Sequence, residues 1–233
     1  MILTVKDVNT FYGTSHVLQD INLEVGFGEV VSLLGRNGVG KTTTLRSIIG
    51  LTIPRSGSII FKGEEVCGLP PYTMAVNGVA YMPDDLRIFP DLTCEENLEI
   101  AAKVARRQGM WNLDKVQELF PVLRARRKQK GLNMSGGEKK MLSLGRALMA
   151  NPDLVLLDEP SEGLAPLVVR ALLDAVDTIR KSRVTILLAD QNLRFCRKVS
   201  DRGYILEKGR VVHSDTMEGI LNTEKVVKKY LAL

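Results

Sequence analysis

Three short stretches of this chain carry residue types at spacings that suit phosphate chemistry. "GRNGVGKTT", Gly35 to Thr43, fits G-x-x-x-x-G-K-[ST] and stands between a β-rich run and a helical pattern. Gly35, Gly38 and Gly40, with Arg36, Asn37 and Val39 between them, permit a loop whose backbone N–H groups turn inward around phosphate oxygens. Lys41 adds a point charge for the terminal phosphates, the Thr42 hydroxyl suits Mg²⁺, and Thr43 continues the cradle. "LVLLDEP" sets four apolar residues before Asp158 and Glu159, delivering two carboxylates to the C-terminal end of a buried strand. Asp158 is placed to hold Mg²⁺ directly or through water, and Glu159, aimed differently one residue on, to polarise an attacking water. In "MSGGE", Ser135 and Glu138 have the S-x-x-E spacing of a capping box. Capping leaves Gly136 and Gly137 unexplained, because glycines weaken a first helical turn. Bare backbone at that point lets exposed N–H groups touch an oxyanion.

The elements that must position these residues alternate along the chain. "ILTVKDV", "INLEV", "EVVSLLG" and "GSIIFKG" read as strands, and "KTTTLRSIIG" as a helix closed by Gly50 as its C-cap. After the strand "GVAYMP", residues 91–130 change to helical spacing in "CEENLEIAAKVARR" and "LDKVQELFPVLRARR". Then come a helix, the strand "DLVLLDEP", the helix "PLVVRALLDAVDTIRK", the strand "VTILLA", a helix and the strand pair "RGYILEKGRVV". Such alternation predicts an α/β fold with a mainly parallel, helix-covered sheet, interrupted by a helical insert.

Bulk properties narrow the classes. With 45% hydrophobic and 25% charged residues, 233 residues suffice for one large α/β domain. The longest apolar runs have strand length, too short to cross a bilayer, and "MILTVKDVNT" reads as a strand rather than a secretory leader. Cys67, Cys94 and Cys196 form no CxxC pair, which fits a reducing cytosol, and with His16 and His213 as the two histidines no zinc ligation is expected. A net charge of +5 does not choose among anionic partners. The basic run "RARRKQK" lacks interleaved aromatics, so it reads as a solvated helix end and loop, and no nucleic-acid partner is expected.

"GRNGVGKTT", "MSGGE" and "LVLLDEP", in this order with a helical insert before the second, resemble the nucleotide-binding subunit of an ABC transporter over essentially the whole chain. The resemblance implies a P-loop NTPase with an N-terminal antiparallel β subdomain and an inserted helical subdomain. It implies one domain over 1–233, with 1–90 and 151–233 as the α/β core and 91–150 as the helical part. ATP and Mg²⁺ are the implied ligands. Two subunits are implied to pack head to tail, so that Ser135, Gly136 and Gly137 of one close on ATP held by the Lys41 loop of the other. The resemblance makes Glu159, Lys41 and Gln191 catalytic, and Thr42, Asp84 and Asp158 the metal set. Tyr12 in "FYG" matches the aromatic that stacks on adenine.

Departures from the family pattern are informative. Met134 and Glu138 replace the outer residues of the usual LSGGQ, and Asp84 stands where a glutamine is normal. Gln191 replaces the switch histidine; it can donate a hydrogen bond but cannot titrate. Ala165 replaces an aspartate. "GLAP", "QN", "SHVL", "GRNGVGKTTTL" and the terminal "VVKKYL" are similar to the ATPases of the hydrophobic amino acid and amide uptake group, which serve branched-chain amino acids or urea. That group implies membrane permease partners, a periplasmic or extracellular solute-binding protein, and a cytoplasmic location on the inner face of the plasma membrane. Whether the second subunit is a copy or a paralogue stays open. A nucleotide-gated interaction module and a soluble ABC ATPase of DNA repair or translation are the rival readings. The helical insert, with the preceding "DDLRIFPDLT" loop, is the candidate permease contact, where Phe89 and Leu92 have two readings, packing against a permease helix or packing within the chain.

Overall fold

The computed structural model describes residues 1–105 and 107–231. Strands β1 (Leu3–Tyr12) and β2 (Ser15–Val25) form a hairpin, and β3 (Val30–Leu34) leads through residues 35–40 into α1 (Lys41–Ile48). β4 (Ser56–Phe61), β5 (Glu64–Glu65), α2 (Pro71–Asn77) and β6 (Val79–Met82) follow. Next come α3 (Cys94–Ala105), α4 (Leu113–Leu119), α5 (Pro121–Ala125) and α6 (Gly136–Met149). β7 (Leu154–Asp158), α7 (Pro166–Lys181), β8 (Thr185–Ala189) and α8 (Leu193–Val199) restore the alternation. The pair β9 (Arg202–Glu207) and β10 (Arg210–Thr216), α9 (Met217–Asn222) and helical residues 224–231 complete it.

Two sheets result. β2-β1-β4-β5 is antiparallel, and β10-β9-β3-β8-β7-β6 is parallel except for its β10–β9 edge. This is the α/β architecture expected, with the antiparallel subdomain first and helices α3–α6 inserted between β6 and β7.

The parallel strands bury both faces, and their alternation shows how. Val31 and Leu33 of β3, Leu154 and Leu156 of β7, and Leu187 and Ala189 of β8 join a core with β1, β2, β4 and α1. Their neighbours Val30, Leu34, Val155, Leu157, Ile186 and Leu188 join the opposite core, with the inserted helices, α7 and α8. Successive side chains of a strand point to opposite faces, so runs such as "LVLLD" must be apolar throughout when both faces are covered. Each fully buried Leu or Ile here contributes about 1.5–3 kcal/mol relative to exposure.

Two details differ from the sequence reading. The predicted helix "LDKVQELFPVLRARR" is two helices, broken at Phe120 (φ −125°, ψ 81°). Pro121 lacks an N–H and disfavours helical geometry in the residue before it, so it opens a new helix at its first position. The C-cap of α1 is Ile49, and Gly50 follows at φ 80°. Gly50 N–H bonds Ser47 O and Leu51 N–H bonds Arg46 O, the Schellman arrangement that wants a glycine one position later than expected. Of the stretch "CEENLEIAAKVARR", Arg106 lies outside the described residues, as do Ala232 and Leu233 of the expected 1–233 domain.

The α6 start is capped as predicted. Ser135 Oγ accepts from Glu138 N–H at 3.3 Å, while Glu138 Oε2 accepts from Ser135 N–H at 2.8 Å. Arg126 Nε donates to Glu138 Oε1 at 3.1 Å. The Ser135 N–H bond and the Arg126 guanidinium hold the Glu138 carboxyl below its usual 4.5. A depressed folded-state pKa stabilises above the unfolded value and loses that term as pH falls through the depressed one. Glu138→Gln keeps the cap acceptor but not the charge, so it is expected to cost about 0.5 kcal/mol at pH 7. Urea midpoints of native chain and variant should keep their gap down to about pH 5 and converge as pH falls below 4.5. A constant gap would contradict the charge assignment.

Candidate active site

The C-terminal ends of β3, β8, β7 and β6 lie side by side, because these strands are parallel neighbours in that order. Four of the predicted groups follow these ends, so the fold alone brings them to one rim, whereas Ser135 and its glycines start α6 elsewhere. The 35–40 loop follows β3, Asp190 and Gln191 follow β8, Asp158 ends β7 with Glu159 next, and Asp84 follows β6.

The loop after β3 is clamped from behind. Gly209 N–H donates to Val39 O at 3.0 Å, and Gln19 N–H donates to Gly209 O at 2.8 Å. Gly35 adopts φ 143° with Leu206 O only 2.5 Å from where a Cβ would stand; Gly40 adopts φ 113° with Leu18 Cδ2 at 2.7 Å. Neither position admits a side chain, so the hairpins β1–β2 and β9–β10 set the loop's curvature. Arg36, Asn37 and Gly38 remain exposed, and Val39 is half-buried. Gly40 is the N-cap of α1, and no acidic residue occupies the first helical turn, which leaves its N–H dipoles free to favour an anion.

Lys41 is only 3% exposed. Its ammonium donates to Gly35 O at 3.0 Å and Arg36 O at 3.1 Å, and lies 3.4 Å from Glu159 Oε1. Thr42 Oγ1 donates to Asp158 Oδ1 at 2.9 Å, and Tyr81 OH donates to Asp158 Oδ2 at 2.9 Å. Thr43 is buried beside them. Burial pushes the Asp158 carboxyl up to about 6, against the pull of the Tyr81 and Thr42 hydrogen bonds. Burial also raises Glu159, assisted by Glu162 and opposed by Lys41. Glu159 itself takes the left-handed region, φ 45°, with its N–H on Ala189 O at 2.7 Å.

Lys41, Thr42, Asp158 and Glu159 are thus in direct contact. Asp84 is exposed and close enough to raise Asp158, and Gln191 is exposed at the same rim. Among the described residues, no group of three or more His, Cys, Asp and Glu could hold a metal ion by itself. Tyr12 stands at the β1–β2 turn with its ring 46% exposed and its hydroxyl 3.2 Å from Thr52 Oγ1. Two residues earlier, Thr10 Oγ1 meets Ser47 Oγ of α1 at 2.9 Å, which seats this hairpin against the helix after the loop.

Ser135, Gly136 and Gly137 make no hydrogen bond to the Lys41 loop of the same chain among the described residues. The two glycines also have different surroundings. A Cβ on Gly137 would lie 2.8 Å from Val168 Cγ2 of α7, whereas one on Gly136 would meet nothing within 4 Å. Gly137 therefore has a packing reason within the chain, which the sequence did not reveal, and Gly136 alone faces open space.

Sequence reasoning missed three polar side chains at the rim. Tyr81 and the fully buried Asp190, which accepts from Ser161 N–H and Asn192 N–H, gave no local signal. Lys140 is 8% exposed, with its ammonium on Glu159 O at 2.6 Å and Glu162 O at 2.8 Å. Its spacing of four and eight residues from the buried Leu144 and Leu148 was the available sign, since it puts a lysine on the buried stripe of α6.

A buried lysine at the end of a glycine loop, met by a carboxylate from another strand end of a parallel sheet, defines a nucleotide-hydrolase class of site. The family model described as ABC transporter matches residues 18–162. The high-affinity branched-chain amino acid transport ATP-binding protein BraG of Pseudomonas aeruginosa is 42% identical over 99% of both chains. The lipopolysaccharide export system ATP-binding protein LptB of Haemophilus influenzae is 35% identical over 99% of this chain and 97% of its own. A solved ATP-binding subunit of an ABC transporter shares 32% identity at TM-score 0.86, over 99% of this chain and 96% of that one. A bacterial ABC transporter cassette solved as a dimer shares the fold at TM-score 0.82 and 22% identity, over 92% of this chain and 98% of that one. The chain belongs to the ABC transporter family and is one of its ATP-hydrolysing, ATP-binding subunits.

The two glycines are expected to separate in stability measurements. Gly137→Ala is expected to destabilise by about 1–3 kcal/mol through overpacking, with Val168→Ala relieving most of it. Gly136→Ala should leave stability unchanged or raise it by up to about 1 kcal/mol, because alanine loses less backbone freedom. Chemical denaturation of the three variants checks this; equal costs at both glycines would refute the distinction.

Proposed function

We propose that this chain energises uptake of branched-chain amino acids, or of related amides or urea. In this reading it works as a head-to-tail pair, with a copy or a paralogue, on the cytoplasmic side of membrane permeases served by a periplasmic or extracellular solute-binding protein. The observation that carries the solute class is the end-to-end 42% identity to the branched-chain amino acid ATPase, above the 35% to the lipopolysaccharide one. Among the described residues no helix is long and apolar enough to cross a membrane.

The site's residues take the following roles. Lys41, the 35–40 amides and the α1 N-terminus bind the terminal phosphates, with Arg36, Asn37 and Thr43 flanking them. Tyr12 offers its exposed ring face to adenine. Thr42, Asp158 and Asp84 supply hard oxygen donors that fit Mg²⁺, which takes few protein ligands and completes its shell with phosphate and water. Bound Mg²⁺ supplies neutralisation of phosphate charge. Glu159 accepts a proton from the attacking water at its carboxylate, and its raised pKa makes it a better base near neutral pH. Gln191 donates its amide hydrogens towards the phosphates. Ser135 and Gly136 lend an open helix start to the partner's nucleotide, with Gly137 shaping it from behind.

An open cleft of about 450 Å³ between α2, β6, α3 and α6 supports permease docking. Pro71, Ala75, Leu86, Phe89, Ile100 and Arg146 line it. Phe89 is 41% exposed, with the Arg146 guanidinium 4.7 Å from its ring centre. Leu92 does not line the cleft; it is half-buried, and its carbonyl accepts from Gly131 N–H. We read residues 91–150, with the loop before them, as the part that meets the permease.

Proteoliposomes holding the chain with its permeases, supplied with solute-loaded binding protein, test the reading. Turnover should rise with leucine, isoleucine, valine, urea or a short amide, and fall about 100-fold or more in Glu159→Gln with ATP affinity retained. Stimulation by none of these solutes would overturn the solute class, and Glu159→Gln turning over at the native rate would overturn the base. Gly136→Ala should fold normally yet lose ATP-driven pairing; native-like pairing would remove its role at the partner's site.

A further inference from the structure

The buried ammonium of Lys140 has no part in the roles above, yet it sits where two of them meet. Its helix, α6, begins at Ser135 and Gly136, and its Nζ reaches Glu159 O at 2.6 Å and Glu162 O at 2.8 Å. Glu159 holds a left-handed backbone, φ 45°, which a residue with a Cβ adopts only when its surroundings enforce it. Three contacts do so: its N–H on Ala189 O, and its carbonyl under both Glu162 N–H at 3.3 Å and Lys140. Among the described residues, no other hydrogen bond joins α6 to residues 159–162. Burial pulls the Lys140 ammonium towards neutrality, while Asp190, Glu162, Glu159 and Asp84 around it favour the charge. Without it, the Glu159 carbonyl would keep only the Glu162 N–H, the Glu162 carbonyl would lose its donor, and the carboxylates facing it would lose a nearby cation.

We infer that Lys140 is a positioning residue for hydrolysis, tying the helix start lent to the partner's nucleotide to the backbone of the chain's own base, Glu159. A helix is stiff over the six residues from Ser135 to Lys140, so seating its start and orienting the Glu159 turn become one event. The inference rests on the paired arrangement proposed above.

The test compares Lys140→Met, Lys140→Gln and Lys140→Arg with the native chain. Expected for Lys140→Met is a fall in kcat of about tenfold or more with KM for ATP within about twofold, the signature of a group that acts on the transition state rather than on binding. Lys140→Arg, which keeps charge and donors, should restore most of the loss, and Lys140→Gln, a shorter neutral donor, should fall between. In a Glu159→Gln background, ATP-driven pairing measured by sedimentation should be unchanged by Lys140→Met. Thermal unfolding reports the folded fraction; if Lys140→Met does not fold, Lys140→Gln carries the comparison. Native kcat in the variant, or a loss matched by weaker ATP binding or unfolding, overturns the inference. A native chain that neither pairs nor hydrolyses ATP instead sinks the arrangement on which it rests.

Discussion

A buried ammonium must be compensated, and the site is organised around that demand. Lys41 lies almost wholly inside the protein, where an unpaired cation would be strongly unfavourable. Two loop carbonyls and Glu159 meet it, which requires the 35–40 loop to curl back and the end of β7 to stand beside it. Parallel pairing of β3, β8 and β7 fixes that proximity, and their two-faced burial fixes the pairing. Glu159 therefore serves a charge balance within the folded chain before it serves any chemistry.

The same logic extends outward. Asp158 is buried deeply enough for its carboxyl to rise to about 6, so it depends on the Thr42 and Tyr81 hydroxyls for its orientation. Divalent cation binding would favour the carboxylate and suit those oxygens. Around this polar knot the chain is apolar on both sides, with a core under the antiparallel sheet and another among the inserted helices. A rigid setting of this kind keeps the reacting groups from relaxing away from one another.

How much could be read from residues alone depended on distance along the chain. The Lys41 loop, the Asp158–Glu159 pair and the Ser135 capping box were legible because each is a local pattern with a local reason. The strand and helix alternation was legible because two-faced burial leaves uninterrupted apolar runs. The break at Phe120 was available in Pro121 but yielded to the helical spacing on either side of it. Gly137 looked like its neighbour Gly136, and Val168, which explains it, lies on another helix. Tyr81 and Asp190 gave no local cue, and Lys140 gave only its place on the buried stripe, because contacts over long separations define their environment.

The curl of the 35–40 loop is imposed by Leu206 and Gly209, from the hairpin near the other end of the chain. During synthesis on the ribosome, the loop emerges long before the residues that mould it. Nascent chains shorter than the β9–β10 hairpin consequently lack the mould, so the loop takes its final curl only after that hairpin has emerged.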